Sequence, residues 1–276
     1  AATSQYVMDV VDCLFEYNMV RGTSSTSAIQ GGGGAIELSG SSVQVAMLGT
    51  TIQLTRHQGV QIHGCTFRNN IADHHTSGGA ILVDSRDVWL TLCHSSFFGN
   101  NAWYGHGGSV HATARQVDIL SCVFERDMGM QGACLSFGLI EDGSSITNSS
   151  FFGCEAFDIG GAASFNSSSV LMEHVKIEDC RANAMGGGFA IGQSTQALIK
   201  NSKFLGNEAL TGGAIAIAEE AYVSIVASEF TQNVGHMSGG AISPDGNALE
   251  ISHSTFTRND AKYGGALGNS VPIMLR

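Results

Sequence analysis

Phe204-Leu205-Gly206-Asn207-Glu208-Ala209-Leu210-Thr211-Gly212-Gly213-Ala214-Ile215 is one copy of a phrase that returns nine times along the chain. Its leading apolar residue recurs as Phe15, Phe67, Phe97, Phe124, Phe151, Ile177, Phe204, Phe230 and Phe256. Three positions later stand Asn18, Asn70, Asn100, Asp127, Cys154, Cys180, Asn207, Asn233 and Asn259. A small residue follows two further on from the second copy, and then a glycine-rich run closed by an apolar residue. That closing column reads Ile36, Ile81, Val110, Cys134, Ala163, Phe189, Ile215, Ile242 and Leu267. From Phe67 onward the steps are 30, 27, 27, 26, 27, 26 and 26 residues. The first step, Phe15 to Phe67, is 52 residues, twice the period. Either a degenerate coil lies there, or the segment from Thr23 to Gly59 carries insertions.

A fixed period of this length decides the architecture before any propensity argument. It is too short for a helical-hairpin repeat, and no segment shows a 3.6-residue period. Between the glycine run and the next Phe, apolar residues alternate, as in Ile215 and Ile217, then Val223 and Ile225. Period two marks half-buried strands, about three per repeat, with Gly, Asn and Ser at the corners. One repeat cannot bury its own apolar face, whereas stacked repeats pair equivalent strands at about 4.8 Å. The expectation is an all-β chain: a single-stranded parallel β-helix of about nine coils of about 26 residues, one domain over residues 1–276. Phe residues would stack inside it, and Asn residues would form an amide ladder at a corner.

The two columns resemble the repeated FxxN and GGA[I/L/V] motifs of the polymorphic outer-membrane proteins of chlamydiae and related β-helical passengers. Here they read Phe67-Arg68-Asn69-Asn70 with Gly78-Gly79-Ala80-Ile81, and Phe230-Thr231-Gln232-Asn233 with Gly239-Gly240-Ala241-Ile242. The resemblance spans nearly the whole chain. It implies a right-handed β-helix of the pectin-lyase-like kind. Passengers of that family end in a membrane barrel; nothing in this sequence resembles one, so membrane insertion is not expected of this segment.

Composition agrees with a strand solenoid. The chain has 276 residues, 36 glycines and two prolines, and 13% of its residues are charged, about half the share usual in globular proteins. Its net charge is −11, which argues against a nucleic-acid partner. No apolar run approaches the roughly 20 residues of a membrane span. The chain starts at Ala1 and both ends look cut from something longer. A last coil ending at Arg276 without a visible cap suggests end-to-end contact with another copy or an adjoining domain.

Seven cysteines point outside the reducing cytoplasm. Cys154 and Cys180 share a column in consecutive coils, about 4.8 Å apart and inside the disulfide window of roughly 4.4–6.8 Å. Cys93 and Cys122 would meet if the register shifts. Cys13 and Cys65 would meet if no coil intervenes, and Cys134 is left over in an inward column. Two sequons, Asn148-Ser149-Ser150 and Asn166-Ser167-Ser168, fall in Ser-rich corners and are candidate glycan sites that would decorate one side. All seven cysteines serve equally well as small buried hydrophobes.

No chemistry-bearing column is readable. Glycoside-cleaving sites need carboxylates about 5–9 Å apart, hence acids in one column on consecutive coils. Glu155, Glu208 and Asp260 share a column but are two coils apart, and Glu219, Glu220 and Asp245 read as solvated corners. The chain is therefore expected not to be an enzyme, and no cofactor or metal is implied. The variable segment of the repeat is the turn before the glycine pair. Its longest neighbouring copies carry Asp73, His74 and His75, then Trp103, Tyr104 and His106. Such a turn edge suits packing, a protein contact or a glycan. The expected role is an extracellular or cell-surface structural solenoid, part of a fibre, wall layer or adhesin; a glycan-binding module and a polysaccharide-cleaving enzyme are the alternatives.

Overall fold

The computed structural model describes residues 6–21, 33–39, 42–47, 50–55, 58–74, 76–245, 248–268 and 273–275. Among them there is no helix. Strands stack in parallel, coil upon coil, and two faces of the resulting β-helix are sheets of nine short strands each. The first face is the Phe column. Phe15 pairs with Phe67, and the register continues through Phe97, Phe124, Phe151, Ile177, Phe204, Phe230 and Phe256, so the column makes seven turns above Phe67. The second face follows the Asn corner, with strands such as Asn101–His106 and Glu208–Thr211. The remaining face bends. It is one long strand in Ile81–Cys93 and Val110–Leu120, and two shorter ones in later coils, such as Ile215–Ile217 and Tyr222–Val226. Later coils thus hold four short strands rather than three.

Phe15 stacks directly on Phe67, so no coil intervenes. The additional residues form an insertion in which Ile36–Ser39 pairs parallel to Ile81–Cys93 and antiparallel to Ser42–Met47, which pairs antiparallel to Thr50–Thr55.

The interior is a pair of ladders. Phe rings stack face to face at 4.7, 4.8, 4.6 and 4.9 Å from Phe15 to Phe151, and again at 4.7 and 4.8 Å from Phe204 to Phe256. Ile177 breaks the stack. Phe189 enters from the opposite strand and meets Phe151 and Phe204 edge-on at 6.1 and 5.3 Å. Each buried Phe contributes about 1.5–3 kcal/mol by leaving water, and each ring pair roughly 0.5–1.5 kcal/mol more.

The Asn ladder closes the corner. Asn233 Oδ1 accepts from the Asn207 backbone N–H at 3.0 Å and from Asn207 Nδ2 at 2.9 Å. Its own Nδ2 donates to the Phe204 carbonyl at 3.0 Å and to Asn259 Oδ1 at 2.9 Å. Asn70, Asn100 and Asn207 use the same pattern and are fully buried.

A second hydrogen-bonded ladder lies two residues before the Phe column. Ser202 Oγ donates to the Lys200 carbonyl at 2.7 Å and accepts from the Val175 N–H at 3.2 Å; Ser95, Ser149, Ser228 and Ser254 repeat this. Cys13, Cys65 and Cys122 occupy rungs of the same column.

Every coil turns through left-handed residues. The positions three before and two after the Phe column all have positive φ yet accept Asn, His, Ser, Arg or Gln, such as Asn148, His174, Arg126 and Gln232. The third corner keeps glycine. A Cβ on Gly212 would sit 2.3 Å from the Ile215 carbonyl oxygen, whereas on Gly153 it would meet nothing closer than Arg126 Cγ at 3.7 Å. The first two corners cost only the intrinsic αL penalty; the third also forbids the side chain.

Asn233→Leu leaves the Asn207 N–H and the Phe204 carbonyl without partners inside the corner. The expected loss is about 1–3 kcal/mol in unfolding free energy, read by denaturant melts. An unchanged midpoint would contradict the ladder.

Candidate functional site

The residues that alternate with the buried Ile81, Val110, Leu135, Ala163, Phe189, Ile215 and Ile242 point out of the solenoid: Leu82, His111, Ser136, Ser164, Ala190, Ala216 and Ser243. They are small in most coils, and the turns on either side rise above them. The result is a groove along the rod, about 480 Å³ where Ile159, Met185 and Thr211 form one wall. Asn166, Gly192, Glu219 and Asp245 stand on the other.

Towards the N-terminal coils the wall is the Trp103 turn. Trp103, 41% exposed, reaches across a coil to Phe157, ring centroids 4.6 Å apart. It can do so because the intervening turn, at Met128–Gln131, is shorter. His106 brings its ring to 5.7 Å from His111 on the groove floor. Burial pushes the His111 imidazole down to about 4, and the neighbouring His106 adds to the effect. Burial also lowers His106, against the pull of Asp158. Both rings are therefore neutral near pH 7, and each has a buried Nδ1 without a hydrogen-bond partner. Asp158 is held by Gln131 Nε2 at 3.1 Å. The cluster sets an aromatic platform and two uncharged imidazoles beside a carboxylate.

The other turn residues behave differently. Asp73 and His74 pair with each other at 3.3 Å on the surface, and Thr76 Oγ1 donates to the Asp73 carbonyl at 2.6 Å. The Trp103 turn stacks on this one through His106 N–H to Ser77 Oγ at 3.1 Å, and a Cβ at Gly105 would strike the Thr76 carbonyl. Tyr104 is half exposed, and His75 lies outside the described residues. His111 and Phe157 complete the cluster. The outward position after each glycine run, small in most coils, was the signal that could have singled out His111.

A second, shallow groove of about 830 Å³ runs over the outer face of Ser169–Glu173, Gln196–Lys200 and Tyr222–Val226, past Asp118, Leu171, Leu198 and Tyr222. Its acids are engaged: Asp118 accepts from Ser145 and Gln116 at 2.5 and 2.7 Å, and Asp142 from Arg115 at 2.7 Å. In the Glu155 column, Glu208 is held well below the usual carboxylate range by His236 at 2.8 Å and Arg181 at 2.6 Å.

With the fold and grooves in place, comparison with known proteins adds the family. The right-handed β-helix region model matches residues 89–273. The chain belongs to the right-handed β-helix family. One copy of the Chlamydia polymorphic membrane protein repeat also matches, at residues 64–84, in the coil that carries Phe67 and Gly78-Gly79. No curated protein and no solved structure gives a match.

The cysteines of this right-handed β-helix do not pair as expected. Cys154 is bonded to Cys134, Cα atoms 6.3 Å apart, and Cys180, Cys93, Cys122, Cys13 and Cys65 are free. Side chains of one column run parallel, so Cys154 and Cys180 keep a Cβ spacing near the roughly 4.8 Å of the strands, wider than the roughly 3.8 Å of a disulfide. Cys134 lies one place earlier than its assigned column: Leu135 pairs with Val110, and Cys134 stacks with Ser109 and Ala162 across the corner from the Asn column. Cys122 stacks with Ser95 rather than Cys93, which leaves those two thiols out of register. The sequons also separate. Asn148 and Asn166 are both exposed, but they flank opposite ends of one sheet face, at different corners.

Burial pushes the Cys180 and Cys122 thiols up to about 12. A non-reducing digest should release one Cys134–Cys154 cross-linked peptide, and Cys180 and Cys122 should alkylate only after unfolding. A Cys154–Cys180 peptide would overturn the assignment.

Proposed function

We propose that this right-handed β-helix is a non-catalytic, rod-like module of a cell-surface or extracellular protein. One observation carries this reading. The polar side chains that recur along the coils at the two corners are spent on the next coil, not gathered in a cleft, as the Asn and Ser ladders show. Such a rod resists local opening because each rung is tied to both neighbours. The Cys134–Cys154 disulfide and the match to the Chlamydia polymorphic membrane protein repeat support an extracytoplasmic place. Antibody or protease added to intact source cells should reach the chain; signal only after lysis would sink the proposal.

A second reading is favoured by the Trp103 cluster: the rod carries a glycan contact. An exposed indole beside neutral imidazoles and a carboxylate supplies a stacking face and hydroxyl partners. Trp103→Ala should weaken retention on immobilised oligosaccharides by about tenfold or more, the loss of roughly 1.4 kcal/mol, while the melting temperature falls only by the few degrees that loss of the Trp103–Phe157 ring contact costs. Equal retention by both proteins would remove this reading and leave the module reading intact.

A further inference from the structure

Asp127 stands in the Asn column and is fully buried. Its Oδ1 does what the asparagine carbonyls do, accepting from the Asn100 N–H at 2.8 Å and from Asn100 Nδ2 at 3.2 Å. Its Oδ2 then falls where the others carry an amide nitrogen, and that oxygen is buried with no hydrogen-bond partner. The five asparagines that have a coil before them show what belongs there. Each Nδ2 donates to the carbonyl of the apolar residue one coil earlier: Asn70 to Phe15, Asn100 to Phe67, Asn207 to Ile177, Asn233 to Phe204 and Asn259 to Phe230, at 2.9–3.1 Å. The same step from Asp127 leads to the carbonyl of Phe97. An ionised carboxylate would set two acceptors against each other in a dry corner.

We propose that Asp127 is held as a neutral carboxylic acid whose Oδ2–H replaces the missing amide N–H and donates to the Phe97 carbonyl, making this rung of the solenoid dependent on a proton. The neighbouring rung explains why an acid sits here. An asparagine has two N–H bonds to place, and Asn207 and Asn233 spend the second on the Oδ1 of the next rung. After Asp127 the next rung is Cys154, which has no amide oxygen, and its sulfur is bonded to Cys134. A carboxyl oxygen of Asp127 and both sulfurs lie within 4.8 Å of one another. One proton is all this place can use, and a carboxylic acid supplies one.

The surroundings keep it neutral. Burial pushes its pKa up to about 7, hydrogen bonds from Ser109 and Asn100 oppose the rise, and Glu125 on the same coil adds repulsion. The groups facing it from the coil before are the uncharged Asn100 and Ser109; from the coil after it is Cys154, and across the corner Cys134, both closed in the disulfide. The folded chain therefore binds a proton that the unfolded chain releases near its ordinary value of 3.8. The associated stability is complete below about pH 4, falls as pH rises, and is gone once pH passes about 7.

Thermal unfolding of the wild type and of Asp127→Asn across pH 4–9 tests this. The wild type should lose on the order of 5–10 °C between pH 4 and pH 8 through this group. Asp127→Asn should lack that component and melt higher than the wild type at pH 8. A second measurement does not depend on the variant's stability. The infrared spectrum of the wild type at pH 5 should show a protonated-carboxyl stretch from a buried, exchange-resistant group that disappears by pH 9. Parallel melting curves for the two proteins, or a wild type without that band at pH 5, would overturn the proposal.

Discussion

Everything in this molecule follows from one constraint: a coil that turns a corner leaves backbone N–H and C=O groups pointing along the rod, and only the next coil can satisfy them. A side-chain amide at the corner does this from both ends. It accepts from the N–H of the rung before and donates to a carbonyl of that same coil, and each rung fits only if the next presents the same group at the same place. The strict repeat in the sequence is a consequence of this geometry. Once the amides are in register, strands pair at their fixed spacing and identical Phe rings fall one above another at 4.6–4.9 Å, close to the strand spacing itself.

The instructive part of the rod is its middle, where both ladders change at once. Asn gives way to Asp127, Cys154 and Cys180 before resuming at Asn207, and Phe gives way to Ile177. Each break has a local answer. Phe189 fills the space beside Ile177, edge-on to Phe151 and Phe204, and the preceding Gly188 is required by the next coil: a Cβ there would lie 2.6 Å from the Ala214 carbonyl oxygen. The Cys134–Cys154 bond ties two consecutive coils where the amide link is missing, and Cys180 re-enters the hydrogen-bond series by giving its N–H to Asn207 Oδ1 at 3.0 Å. A covalent bridge here constrains a loop of 20 residues, short enough that its effect on the unfolded chain is of the order of 3 kcal/mol.

The columns that announced the fold were legible because two residue types recur together at one fixed offset: Phe for the stack, and Asn three positions on for the ladder. The Ser ladder was not, since serine is common throughout the chain, and Cys13, Cys65, Cys122 and Val175 interrupt it. Cys134 was misplaced for a related reason. In Gly132-Ala133-Cys134-Leu135 the second glycine of the pair is replaced by alanine, so counting from an apparent Gly-Ala-apolar triplet slips the register by one. That slip moved a sulfur from facing Cys154 to an inward column, and with it the disulfide. The Trp103 turn was visible as one of the two longest turns before a glycine pair. Its companions were harder to see: His111 looks like any strand residue until the groove places it beside His106, and Trp103 meets Phe157 only because a shorter turn lies between them.

A laddered solenoid also restricts where a function can arise. Inward positions are fixed by stacking, and the corner positions by hydrogen bonds to the coils on both sides, so a change there propagates to two neighbours. What stays free is the outward half of each strand and the length of the turn before the glycine pair. In most coils the outward position beside that turn is Ser or Ala, which keeps the groove open without committing it to any ligand. At one place both freedoms are used together: a longer turn supplies Trp103 and His106, and the floor beneath supplies His111. Burial strips the charge from both imidazoles, so the cluster presents uncharged rings rather than cations. The chain as a whole carries a net charge of −11, and this ring-bearing stretch contributes one carboxylate to it, Asp158, beside uncharged imidazoles.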